Sequence, residues 1–228
     1  MVKISIIVPA YNEGKRIGST LNSLLSNFHD EEIIVVSNGS KDNTIEILKE
    51  WKSKNKNLIY FDFPEKLGKG GAILEGMKVA KGDWIGFIDA DDAFDLKYLK
   101  TQLSSLGDYD CIIASKWKNK NIFQIDEPTI RKILSRMWNL LVRILLNLNY
   151  YDTQAGAKFF KKKVRDKIGY NFISKDFAFD VELLNKIKKN NFSVKEIYVP
   201  SKFIPGSTFK LRHCKQMLKD LLKIWRSK

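Results

Sequence analysis

The sequence predicts an α/β fold, a mostly parallel, twisted sheet flanked by helices. Three observations predict it. Short β-branched runs alternate with helix-length amphipathic segments over the first half of the chain, the pattern of right-handed βαβ units. Polar clusters rich in Gly, Ser, Asn or Asp follow these runs, at the strand ends where such sheets gather their ligands. Finally, 44% of the 228 residues are hydrophobic, enough for a sizeable core without disulfide staples.

Taken in order, Lys3–Pro9 is a β-branched run of the kind a buried parallel strand requires. A polar loop, Ala10–Lys15, leads to a helical pattern over Arg16–Ser26. Glu32–Val36 is a second buried strand, ended by Ser37-Asn38-Gly39-Ser40. Asp42–Lys54 is a helix with Leu48 and Trp51 inward, Leu58–Phe63 a third strand, and Gly70–Lys81 a third helix stopped by Gly82. Trp84–Ile88 runs into Asp89-Ala90-Asp91-Asp92, and Asp110–Ser115 is a further strand. The remainder changes character, with helices expected over Arg131–Asn149, Asp180–Lys189 and Leu211–Trp225. Apolar residues come close to covering the first of these. No repeat or low-complexity linker is visible, so residues 1–228 read as a single domain.

Charge divides that domain. Residues 1–110 hold 14 basic and 17 acidic side chains, a balance of −3, and residues 111–228 hold 26 and 9, a balance of +17. The basic half calls for a polyanionic partner. Two cysteines, Cys111 and Cys214, cannot build a disulfide framework or a Cys-rich zinc site, which makes a reducing compartment the default. Two histidines, His29 and His213, argue against histidine-centred catalysis. No uncharged apolar run reaches the roughly 18 residues of a membrane-spanning helix. Residues 1–10 are apolar but too short for the core of a signal peptide.

Asp89-Ala90-Asp91 carries the sharpest chemical signal. Two carboxylates at i and i+2 beyond a buried strand repel one another unless a hard divalent cation, together with diphosphate oxygens, neutralises them. The competing reading is an acidic turn in which Asp91, Asp92 or Asp95 caps a helix over Phe94–Gln102. Gly68-Lys69-Gly70-Gly71 reads either as a backbone cradle for a ligand or as an ordinary turn before a helix. Neither a P-loop nor a dinucleotide fingerprint is present.

The opening Ile7-Val8-Pro9-Ala10-Tyr11-Asn12-Glu13, the Gly-Ser turn near residue 38 and the Asp-x-Asp near residue 90 resemble the inverting family 2 glycosyltransferases. Gly68–Ala72, Asp152-Thr153-Gln154-Ala155-Gly156-Ala157-Lys158 and Phe179-Asp180-Val181-Glu182-Leu183-Leu184 narrow the resemblance to the dolichyl- and polyprenyl-phosphate glucose and mannose synthases, over nearly the whole chain. Three departures stand out. Ser37-Asn38 replaces the usual Asp-Asp, Lys116 stands where an Arg is frequent, and Ala93 stands where some relatives place a Gln.

The resemblance implies a GT-A type, Rossmann-like domain. Residues 1–110 would hold the nucleotide sugar, and residues 111–228 would face acceptor and membrane. It implies nucleotide-sugar contacts from Pro9, Tyr11, Glu13, Asn38, Gly39, Lys69, Gly70 and Asp89, and Mg²⁺ or Mn²⁺ held by Asp89 and Asp91. The expected reaction is inverting transfer of a hexose, from UDP-glucose ahead of GDP-mannose, to dolichyl or polyprenyl phosphate. A phosphate acceptor is already anionic near neutral pH, because its second pKa is about 6, and needs cations rather than a base. Arg131, Arg136 and Lys158 are the expected cations, with Asp91 at the metal. An acceptor hydroxyl would instead need a carboxylate base, for which Asp180 and Glu182 are the candidates.

Basic and apolar residues interleave in Arg131–Asn149 and Leu211–Trp225, as in helices that lie in an anionic membrane interface. Alternatively, both apolar faces pack on the sheet. The expected location is cytoplasmic, peripheral on the cytoplasmic face of a membrane, with a membrane-anchoring subunit as a possible partner. A nucleic-acid binder is the remote alternative. The +17 half and the aromatics near Trp117 and Phe209 suit it, but no RNA-binding motif is present.

Overall fold

The computed structural model describes residues 3–91, 93–104, 107–204 and 212–227. Asp92, Phe209 and Leu211, named above, lie outside them. Seven strands form one sheet: β1 (Ile4–Ala10), β2 (Glu32–Asn38), β3 (Leu58–Phe63), β4 (Trp84–Ile88), β5 (Cys111–Ser115), β6 (Ala157–Lys161) and β7 (Val194–Tyr198). Their order is β3-β2-β1-β4-β6-β5-β7. Every neighbouring pair is parallel except the two involving β6. The mostly parallel Rossmann-like sheet expected from the sequence is therefore present.

The period-2 alternation of each strand feeds two cores. Ile6, Val8, Ile33 and Val35 face α1 (Ile17–Asn27), α2 (Thr44–Lys54) and α4 (Leu96–Ser104). Ile7, Ile34, Val36 and Ile85 face α3 (Gly68–Val79), α6 (Lys162–Ile168) and α7 (Phe179–Lys189). A third cluster joins Ile113 to Val142 and Leu146 of α5 (Thr129–Leu146), Val181 and Leu184 of α7, and Leu221 and Ile224 of α8 (Arg212–Arg226).

Where the expected elements exist, their ends fall within a few residues of the observed ones. The structure adds β6, α6 and β7. Strand β6 escaped periodicity because Lys158 interrupts its apolar run, yet the fold buries that lysine completely. Beside it Gly86 of β4 pairs with Phe159, and a Cβ on Gly86 would lie 2.1 Å from the Phe159 ring. That glycine lets the inserted strand close on the sheet.

Two open questions are answered by the helices. Asp95 caps α4, its Oδ1 accepting the Tyr98 N–H at 2.9 Å. Asp91 is thereby spared that role. Helix α5 buries Asn139, Val142 and Leu146, while Ile130 is 73% and Ile144 68% exposed. Val142 and Leu146 pack in the core, and the exposed apolar residues on the rest of the helix do not. Helix α8 divides, with Met217, Leu221 and Ile224 buried and Leu218, Leu222 and Trp225 partly exposed.

Candidate active site

A cavity of about 910 Å³ opens at the carboxyl ends of the central strands. Its polar floor is lined by Pro9, Tyr11, Glu13, Asn38, Lys69, Asp89 and Asp91, and its far end by α5 and α8. Seven of the expected donor-site residues therefore share one wall. Among the lining residues, Arg16, Asn38, Glu127, Arg136, Trp138 and Gln154 each carry a buried side-chain nitrogen or oxygen with no hydrogen-bond partner. Buried polar groups are normally satisfied. Concentrated here, they mark where a polar ligand would supply partners.

The loop after β1 is tied to the loop after β2. Asn12, at φ +53°, donates its N–H to Ser40 Oγ and accepts from Lys41 N–H at 2.7 Å, while Glu13 N–H bonds Thr44 Oγ1 at 2.9 Å. Glu13 receives Arg16 through two hydrogen bonds of 2.7 Å. Burial pushes the Glu13 carboxyl up to about 7, with the Arg16 charge opposing. Asn38 donates to Ala10 O at 2.9 Å, and its Oδ1 is left as an unused acceptor. Gly39, at φ +76°, turns the chain against Lys66, whose ammonium lies 4.4 Å from the Tyr11 ring centre.

The glycine run does something other than expected. Gly68 has φ +78°, and a Cβ there would lie 2.3 Å from Lys175 O. A Cβ on Gly70 would lie 2.5 Å from Phe179 Cβ. Gly70 is thus buried against α7 rather than lining the cavity. These glycines seat the first turn of α3 on the segment before α7, and that seating aims Lys69 into the site.

Lys69 Nζ sits 2.9 Å from Asp89 Oδ1 and 3.0 Å from Asp180 Oδ2. Asp180 Oδ1 in turn meets Lys158 Nζ at 2.6 Å, and Lys158 also donates to Ala155 O at 2.8 Å. The result is a charge chain, Asp89–Lys69–Asp180–Lys158, whose last two members, Asp180 and Lys158, are completely buried. Desolvation alone would raise Asp180, but Lys158 and Lys69 hold it below the usual range. Desolvation raises Asp89, with Lys69 opposing and Asp91 and Asp180 adding to the rise. The structure thus gives Lys158 a different place from the acceptor-facing one expected. It sits below the cavity floor as the counter-ion of Asp180.

Both base candidates are engaged by other groups of the protein. Asp180 is held between two lysines, and Glu182 accepts the N–H groups of Ile173 at 2.9 Å and Ser174 at 2.8 Å. Glu182 pins the loop that the glycines pack against.

The donor set at Asp89 and Asp91 suits a hard cation. A Cβ on Gly156 would lie 2.5 Å from Asp89 Oδ2, so the glycine leaves room for that carboxylate. Asp91 accepts the Ala93 N–H at 3.3 Å. No group of three or more His, Cys, Asp or Glu side chains among the described residues forms a closed metal cage. A cation here would complete its shell with ligand oxygens and water.

The far wall is basic and aromatic. Arg136 donates to Tyr151 O at 2.8 Å and lies 3.9 Å from the Trp117 ring centre. Burial disfavours its charge, with Asp152 and Glu196 opposing, so an anionic ligand would be welcome. Arg131 also lines the cavity, and its Nε is 3.8 Å from Glu127. Glu196 accepts the N–H groups of Tyr151 and Asp152, both at 2.8 Å, and Asn139 bonds Tyr150 O and Thr153. These contacts fix the segment that presents Gln154. Lys66, Glu127 and Asn139 belong to no motif that points to the site, whereas Lys116 and Gln154 lie in segments that resemble the family. Asn139 did give a signal, as a polar residue inside an apolar helix, and so did Glu127, an acid in a basic half.

Fold and site together define a Rossmann-like α/β protein with a paired-aspartate cavity at its strand ends. Residues 5–169 match the profile of glycosyl transferase family 2, and the chain belongs to that family. It is 31% identical to the dolichyl-phosphate beta-glucosyltransferase ALG5D of Trichomonas vaginalis, over 98% of this chain and 73% of the relative. It is also 31% identical to the dolichyl-phosphate beta-glucosyltransferase of Drosophila melanogaster, over 98% and 74%. Among solved structures it resembles the glucosyl-3-phosphoglycerate synthase of Mycobacterium tuberculosis bound to Mn²⁺, UDP and glucosyl-3-phosphoglycerate. The TM-score is 0.70 at 17% identity, covering 99% of this chain and 79% of that one. The mannosyltransferase PcManGT of Pyrobaculum calidifontis, bound to GDP-Man and Mn²⁺, gives a TM-score of 0.71 at 17% identity, covering 100% and 65%. At such identities the structural likeness speaks for the fold alone. The chain is a nucleotide-sugar-dependent glycosyltransferase related to the dolichyl-phosphate sugar synthases. No helix among the described residues is long and apolar enough to cross a membrane.

Proposed function

We propose that this chain transfers a hexose, glucose from UDP-glucose ahead of mannose from GDP-mannose, to a dolichyl or polyprenyl phosphate with inversion. One observation carries the reading. One cavity is lined at once by the paired aspartates, by Lys116, Arg131 and Arg136, and by apolar side chains of α5 and α8 such as Leu134, Met137 and Leu218. A polar donor, a phosphate and a lipid chain each find matching side chains in it.

In this reading residues 1–110 hold the donor and residues 111–228 the acceptor, within one domain. Asn38 Oδ1 accepts an N–H of the base, and Tyr11, backed by Lys66, borders the nucleoside. Pro9, Glu13, Gly39 and Gly70 shape that wall, Gly70 through the packing that directs Lys69. Asp91, with Asp89, would hold Mg²⁺ or Mn²⁺, which when bound supplies a Lewis acid for the departing diphosphate. Arg131 and Arg136 orient the acceptor phosphate for in-line attack, and Lys158 acts at one remove by fixing Asp180. No base is required. The locked state of Asp180 and Glu182 weighs against the alternative hydroxyl acceptor.

The exposed apolar residues of α5 and α8, flanked by lysine and arginine, suit docking to the cytoplasmic face of an anionic membrane, with or without an anchoring subunit. The test is a transferase assay with labelled UDP-glucose or GDP-mannose and dolichyl phosphate, with and without Mg²⁺ or Mn²⁺. A metal-dependent, lipid-extractable product is expected. Its absence with every donor would overturn the proposal.

A further inference from the structure

We infer that Glu127 is a displaceable counter-ion, holding in the free protein the position that a phosphate monoester takes during turnover. Glu127 ends the loop between β5 and α5 and faces the cavity. Its side chain is 8% exposed. One oxygen, Oε1, lies 2.5 Å from Lys116 Nζ and 3.8 Å from Arg131 Nε. The other, Oε2, is buried and accepts no hydrogen bond. A carboxylate kept for structure alone would be expected to use both oxygens, as Glu182 does with two backbone N–H groups. Glu127 binds instead with half its capacity, to the two cations that border the acceptor end of the cavity.

Charge decides what can replace it. A phosphate monoester carries about −1.5 to −2 near pH 7 and offers three oxygens, against one charge and two oxygens for the carboxylate. It can therefore outcompete Glu127 for Lys116 and Arg131. A phosphodiester carries a single charge and gains little by the exchange. This difference bears on the reaction proposed above, on which this part of the inference rests. An acceptor phosphate oxygen forms the new bond to the sugar anomeric carbon. The bond from that carbon to the nucleoside diphosphate breaks, and the diphosphate leaves with the electron pair. The acceptor thereby changes from a near-dianion to a monoanionic diester. Glu127 then recovers its cations and helps expel the product. It is a positioning residue that acts through Lys116 and Arg131.

The test titrates the full chain, without sugar nucleotide, with inorganic phosphate, dimethyl phosphate and citronellyl phosphate. Binding is read by calorimetry and by the fluorescence of Trp117 and Trp138, which lie beside the site. The protein is expected to favour inorganic phosphate over dimethyl phosphate by at least tenfold. E127Q, which keeps the shape and removes the charge, is expected to bind inorganic phosphate and dimethyl phosphate each at least tenfold more tightly, because the cost of displacing the carboxylate falls away for both. E127A should tighten both likewise. In a K116Q background, E127Q should tighten either anion by less than threefold. Unchanged or weakened binding of both anions in E127Q and E127A would overturn the inference. If binding tightens while citronellyl phosphate binds no better than inorganic phosphate, the exchange at Glu127 stands and the lipid acceptor falls.

Discussion

Asp180→Asn, Lys158→Met and the double variant form a cycle that tests the buried charge chain. Both side chains are completely buried and 2.6 Å apart. Removing one partner of such a pair leaves an uncompensated buried charge and costs about 3–5 kcal/mol. Asp180→Asn leaves Lys158 with Ala155 O and no carboxylate in contact, while Lys69 keeps Asp89. Lys158→Met leaves Asp180 with Lys69 alone. The double variant removes a positive and a negative charge together, so its cost should fall short of the sum by about 2–3 kcal/mol. In a domain of this size each single change should lower Tm by roughly 6–20 °C. Urea unfolding followed by circular dichroism gives the three energies. Because Asp180 is held below its ordinary pKa, its contribution is present above the unfolded value and lost as pH falls through the folded one. The acid limb of the stability profile should therefore flatten in Asp180→Asn. Energies that add to within about 0.5 kcal/mol would refute the coupling. Loss of turnover in Asp180→Asn at a temperature where the variant is fully folded would return Asp180 to the list of catalytic bases.

Gly156→Ala places a methyl 2.5 Å from Asp89 Oδ2; UDP binding in Mn²⁺, measured by calorimetry, should weaken at least tenfold while metal-free stability changes by about 1–3 kcal/mol. Ile144→Glu on α5 replaces a side chain that is 68% exposed; Tm should hold, with a stability change within about 0.5 kcal/mol, while co-sedimentation with anionic vesicles falls. Glu13 is raised to about 7 by burial, so the folded protein binds its proton more tightly than the unfolded chain. Wild-type stability should therefore fall relative to Glu13→Gln as pH rises from about 4.5 to 7, by up to about 3 kcal/mol. Parallel profiles for the two proteins in urea titrations would contradict this.

What the residues announced and what they concealed divide along a physical line. The strands through Ile88 are legible because each is a short run rich in β-branched or aromatic residues and closed by a polar turn, and Asp89 and Asp91 because they follow such a run. Strand β6 was concealed by Lys158, since a lysine inside a strand reads as exposed until its counter-ion is known. Gly68 and Gly70 were visible as glycines, but their use against Lys175 and Phe179 was not. The apolar residues of α5 admit two destinations, the sheet or a membrane surface, because composition cannot say which face of a helix finds a neighbour.

Local chemistry determined the first set of facts about this protein. Alternating periodicities fixed a parallel α/β sheet, the charge division at residue 110 separated a balanced half from a basic one, and short motifs pointed to a glycosyltransferase. Each depends on residues close together in the chain. Tertiary structure decided the second set. It joined Asp180 to Lys158 and Lys69, set Glu127 between Lys116 and Arg131, and left one apolar face of α5 exposed. Ion pairing and burial act through space. The partner of a charge and the cover of an apolar face exist only once the sheet has brought distant segments together.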